Sequence, residues 1–189
     1  MDAKVFSEQY LIEYCAPTLA SLKMANLFRF VCVPDQKLEE VLNGWNEKFS
    51  KKGLGFAYFR RTENAALIYV YRRSELEKTL EKRSVRHFLQ RYGYERFSVE
   101  CALETLAERL EQSVEFPHEI GIFLGYPLGD VIGFIENGGK NCKCIGSWKV
   151  YCNEHEARRN FQRFNKCKSV YSRLWKEGSR SIMQLTVAG

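Results

Sequence analysis

Cys15, His118, Glu119 and Asp130 are the side chains whose types suit nucleophilic chemistry. Cys15 stands just before Pro17, where a helix is expected to restart, and the unpaired N–H groups of a helix start lower a thiol's pKa. His118 would act as its base, with Glu119 or Asp130 orienting the imidazole in a Cys-His-acid arrangement. Lys23 and Asn26 would supply polar contacts, and Gly121, Gly125 and Tyr126 would admit a flat ligand to the same hollow. The plainer alternative is a small buried thiol and a histidine satisfied by a helix-end carbonyl, because free cysteine is commonly buried and inert.

Other constellations are weaker in their spacing. Cys142, Cys144, Cys152, His155 and Cys167 invite a metal, yet a single strand over 144–152 would hold Cys144 and Cys152 about 26 Å apart. The sequence therefore predicts no metal site, unless the chain folds back sharply at Gly146. The run from Gly133 to Lys140 misses the phosphate-loop pattern by one position, lacks its Ser/Thr and precedes a strand. Gly121, Gly125, Gly129 and Gly133 recur every fourth residue, and 119–134 has helix-turn-helix spacing with Gly125 at the turn. Its second helix would offer Asp130 and Glu136 to a duplex, so sequence-specific DNA is not the expected partner. A buried helical hairpin is expected instead, although alternation at Ile120, Ile122 and Leu124 leaves a strand open for its first half.

Arg159, Arg163, Lys166 and Arg173 lie along one side of an expected helix over 154–177. They form either a solvated face or a docking surface for an acidic protein or a phosphate-containing ligand. Charge is uneven: residues 140–189 hold 11 Lys/Arg against 3 Glu, while 1–139 hold 18 basic against 20 acidic residues. The positive face therefore belongs to the C-terminal quarter.

These residues need a scaffold, and 189 residues with 45% apolar content are enough for one domain with a full core. The apolar runs at 65–71 and 120–124 fall far short of the roughly 20 residues of a membrane span. The start lacks a signal-peptide profile, and seven cysteines read as thiols, so the expected location is the cytoplasm. The pattern predicts helices over 7–14 and 17–23 and a strand over 27–33. A helix capped by Asp35 and ending near Gly53 follows, then a hairpin of 54–59 and 66–71 joined through 62–64. Ser74-x-x-Glu77, Ser84 and Ser98 are the expected starts of three helices, and strands are expected over 145–151 and 182–187. The sum is a single α+β domain, 1–189, with a mixed sheet of about five strands packed by helices.

Several stretches together resemble a known family. They are Cys15 to Ala20, Ala25 to Phe28, Leu67 to Arg72, Phe116 to Pro127 with Asp130-Val131, Trp148 to Tyr151, and Gln184 to Val187. The whole chain is similar to a family catalogued as a domain of unknown function, number 3793. The resemblance implies a compact cytosolic bacterial protein, and a flavodoxin-like acidic partner through the genes that accompany the family. It implies no activity and no cofactor. One position departs from the pattern: Cys152 stands where glycine is expected after Trp-Lys-Val-Tyr. Two functions remain open, a small enzyme or ligand-handling protein built on Cys15 and His118, and a non-catalytic module docking through the basic helix.

Overall fold

The computed structural model describes residues 7–31, 38–62, 65–112 and 115–189. In chain order the elements are α1 (Glu8–Leu19), β1 (Ala25–Phe30), α2 (Leu38–Phe49), β2 (Leu54–Thr62), β3 (Ala65–Arg72), α3 (Arg73–Glu81), α4 (Arg83–Gln90) and α5 (Val99–Gln112). They continue with α6 (Ile120–Phe123), α7 (Leu128–Glu136), β4 (Cys144–Ile145), β5 (Lys149–Val150), α8 (Glu154–Lys176) and α9 (Ile182–Leu185). Helix and strand are mixed, as expected. The sheet of about five strands is not found: β1-β3-β2 form one antiparallel sheet and β4-β5 a separate two-stranded hairpin. The chain divides into two compact units, one ending at Glu75 and resuming at Cys167, the other spanning Leu76–Lys166.

In the first unit β3 is the central strand, pairing with β1 from Ala25↔Tyr71 to Phe30↔Ala66 and with β2 from Leu54↔Arg72. Nearly every residue of β3 is buried, which is why it reads as a continuous apolar run and not as an alternation. Helix α2 buries Leu38, Leu42 and Phe49, and Asn46 fixes it to β2 by accepting from Phe56 N at 2.8 Å and donating to Phe56 O at 2.9 Å. Leu11, Ile12, Cys15 and Leu19 of α1 join the same core as Phe28, Phe30, Ile68 and Val70. The expected cap Asp35, the strand end at 32–33 and the link residues 63–64 lie outside the described residues.

Three expectations are corrected. Helix α1 does not end or restart at Pro17 but runs through it to Leu19. The N–H that proline lacks would have served the carbonyl of Glu13, an exposed residue that water can reach, so little is lost. The segment 145–151 is not one strand, because the chain reverses between Ile145 and Lys149. Gly146 makes that reversal fit, since a Cβ there would lie 2.1 Å from the Phe161 ring. The last segment is helical at Ile182–Leu185 because Ser181 and Gln184 form a reciprocal capping box.

The second unit buries Leu76 and Leu80 of α3, Val85, Phe88 and Leu89 of α4, and Ala102, Leu106 and Leu110 of α5. Helices α3 and α4 begin one residue before Ser74 and Ser84, while Ser98 caps α5 by accepting from Cys101 N at 3.3 Å. The expected helical hairpin is present as α6 and α7, and Gly125 turns between them at φ 76°, a left-handed conformation that a side chain would strain. No helix among the described residues is long and apolar enough to cross a membrane.

Candidate functional site

The α6-α7 hairpin and the β4-β5 reversal enclose a hollow of about 380 Å³ within the second unit. Aromatic rings dominate its wall. Tyr126 stacks on Trp148 with centroids 5.0 Å apart, and the imidazole of His118 meets the Phe134 ring edge-on at 4.9 Å. Lys149 Nζ lies 5.7 Å from the Phe134 centroid and donates to the Gly139 carbonyl at 2.7 Å. Ile120, Leu124 and Val131 complete the wall, and Phe116 and Ile145 form an exposed apolar rim, Ile145 at 70% exposure. The Tyr126 hydroxyl donates to Ser147 O at 3.1 Å, and burial pushes this phenol up to about 12.

Asp130 holds the wall together. Its Oδ2 accepts from Trp148 Nε1 at 2.7 Å, and its Oδ1 accepts from the backbone N–H groups of Tyr151 and Cys152, both at 2.8 Å. One buried carboxylate in the first turn of α7 therefore anchors the hairpin that carries Trp148 and Lys149. The contact at position 152 uses the backbone, so cysteine in place of the expected glycine leaves it intact. Burial, and then the Asp130 charge, push the Cys152 thiol up.

The residues singled out from sequence now have places. His118, Gly121, Tyr126 and Asp130 line this one hollow, and Gly125 makes the turn beside it. His118 is exposed and, with Phe116, also borders a neighbouring depression lined by Arg109 and Tyr92. No hydrogen bond joins His118 to either acid among the described residues. Asp130 is committed to Trp148 and the backbone, while buried Glu119 pairs with Arg109 Nε and accepts from the Tyr94 hydroxyl at 3.5 Å. Burial, reinforced by the Glu119 charge, pushes the Tyr94 phenol well up. Arg159, Arg163, Lys166 and Arg173 are all exposed on α8, whereas Arg158 pairs with Glu154 at 2.7 Å.

Cys15, Lys23 and Asn26 belong to the first unit. Cys15 is in the middle of α1, fully buried, and not at a helix start. Loss of solvation pushes its thiol far up, outweighing the charges of Lys23 and Lys168 that pull it down. Burial likewise lowers half-buried Lys23 to about 8. Asn26 accepts from the Thr18 hydroxyl at 2.8 Å. A thiol so protected should resist alkylation: with iodoacetamide near pH 8, Cys15 in the native protein should react at least about a hundredfold more slowly than in urea, while the rate at exposed Cys152 should differ far less between the two states. Peptide mass spectrometry reads both sites, and equal native and unfolded rates at Cys15 would contradict its burial.

The reversal at 146–148 removes the length argument against a shared ion for Cys144 and Cys152. Among the described residues, however, no three of His, Cys, Asp and Glu converge as ligands would. Sequence reasoning left Phe134, Trp148, Lys149 and Arg109 without site roles. The signals were present in the Trp148 to Tyr151 and Phe116 to Pro127 stretches, both of which fall on or beside this wall.

A family model described as "Protein of unknown function (DUF3793)" matches residues 11–186. The chain belongs to this family. The DUF3793 match takes in every residue of the hollow's wall as well as Cys15 and α8, so both compact units are parts of the family's own sequence. No curated protein and no solved structure matches the chain.

Proposed function

We propose that this DUF3793 protein handles a small molecule, and that the Leu76–Lys166 unit binds it in the hollow of α6, α7 and the β4-β5 hairpin. The reading rests on one observation, a hollow of about 380 Å³ whose wall is mostly aromatic and aliphatic, with only a few polar atoms. That volume and lining suit a flat, largely apolar molecule, which would lie against Phe134 and the Tyr126–Trp148 pair. Binding of this kind needs no thiolate, so Cys15 has a packing role in the reading and His118 supplies a polar edge to the pocket.

The probe for this is N-phenylnaphthylamine, a neutral fluorophore that brightens in apolar surroundings. It should bind one per chain with a Kd on the order of 10 µM, as expected for a ligand of its size. Leu124→Trp, which fills the hollow from its wall, should weaken binding at least about tenfold while leaving the circular dichroism spectrum unchanged. Absence of saturable binding, or binding that ignores Leu124→Trp, would remove the proposal.

A further inference from the structure

We infer that the molecule bound in this hollow carries a carboxylate or an equivalent single negative charge, received by Lys149 at the Phe134 ring that His118 also contacts; the inference rests on the ligand-binding reading above. The polar atoms of the wall decide it. Asp130 is the only acid among the lining residues, and three N–H donors already occupy its buried oxygens. Oδ1 is filled by two backbone N–H groups, and a ligand ammonium would have to share Oδ2 with Trp148 Nε1. The Tyr126 hydroxyl is spent on the Ser147 carbonyl.

Lys149 is different. An ammonium has three donors, and this one makes a single hydrogen bond, to the neutral Gly139 carbonyl. Among the described residues no carboxylate pairs with it. Its Nζ and the His118 imidazole both lie against the same Phe134 ring, so two nitrogen-bearing groups flank one aromatic surface inside the hollow. His118 makes ring contact there and no hydrogen bond among the described residues. The charge of the wall that lacks a counter-charge is therefore the Lys149 ammonium, whereas the Asp130 carboxylate is met by three N–H donors. An anionic oxygen placed there would receive a charge-assisted hydrogen bond in apolar surroundings, where such a bond counts for more than it does in water. The rest of the ligand would remain on the aromatic and aliphatic wall.

The test is displacement of bound N-phenylnaphthylamine from the full chain by three probes of nearly equal shape: naphthoate, naphthamide and naphthylmethylammonium. Naphthoate should displace the fluorophore at a concentration at least about tenfold lower than either of the others. In Lys149→Met the preference for naphthoate, taken as the ratio of the other two probes' displacing concentrations to its own, should fall below about twofold, whatever fluorophore affinity the variant retains. If Lys149→Met loses the fluorophore altogether, Lys149→Gln replaces it under the same criterion. Failure of the fluorophore to bind the parent protein overturns the ligand-binding reading and this inference with it. Normal fluorophore binding with naphthamide or naphthylmethylammonium equal to naphthoate, or a preference that survives loss of the Lys149 charge, overturns the anion alone.

Discussion

Arg72→Leu should destabilise the first unit by about 4 kcal/mol, among the largest losses available to any single substitution in it. Arg72 ends β3 and is 1% exposed, yet no carboxylate side chain among the described residues pairs with it. Its guanidinium donates instead to four carbonyls: Nε to Thr18 at 2.7 Å, Nη2 to Leu19 at 2.5 Å, and Nη1 to Lys52 and Val187, both at 2.8 Å. Thr18 and Leu19 close α1, and their carbonyls each accept a backbone N–H besides the guanidinium, from Ser21 at 3.1 Å and from Val187 at 3.0 Å. The positive charge also sits where the helix dipole favours it. One planar fork thus ties together the end of α1, the turn before β2 and the chain after α9. Leucine would remove four charge-assisted hydrogen bonds at once, leaving Thr18 and Leu19 with only their backbone donors, and burial makes that worse than the loss of four surface hydrogen bonds. Arg72→Lys keeps the charge but not the fork, and should cost about 2 kcal/mol or more. Urea unfolding followed by fluorescence measures both; values within about 1 kcal/mol of the parent for both variants would show that the carbonyls find other donors.

How much of this could be read beforehand depends on the range of the forces involved. Helix α2, the β2-β3 hairpin, α5 and the long α8 were legible because their apolar spacing is local and repeats. The Gly125 turn was legible because a left-handed turn strongly prefers glycine. The stretch Ile120–Phe123 resisted because all four residues are buried, so no period separates helix from strand. Ser181-x-x-Gln184 carried a capping signal that the apolar character of 182–187 obscured. Pro17 misled because a breaker in the final turn costs little when the carbonyl it abandons faces water. The site was legible only as a list of members. His118, Gly121, Tyr126 and Asp130 do share a hollow, but the Asp130 contacts cross 18 to 22 residues and follow from a reversal at Gly146 that nothing in the local pattern fixes. The same holds for Arg72, whose acceptors lie up to 115 residues away.

Asp130→Ala should cost about 3 kcal/mol of stability and abolish N-phenylnaphthylamine binding, because it removes the acceptor for the Trp148 indole and for two backbone N–H groups at once. Asp130→Asn separates those two contributions. An amide oxygen in the place of Oδ1 can keep Tyr151 and Cys152, but its NH₂ then faces the Trp148 N–H, donor against donor. The Asn variant should therefore lose about 1–2 kcal/mol and loosen the Tyr126–Trp148 wall, weakening the fluorophore severalfold without abolishing it. Trp148→Phe removes the opposing N–H, so the double variant Asp130→Asn with Trp148→Phe should be less damaged than the two single losses combined, by about 1 kcal/mol. A structural role for Asp130 requires that coupling, measured by urea unfolding of all four proteins. Additive losses would mean that the carboxylate and the indole do not act as a pair, and the wall of the hollow would then need another support.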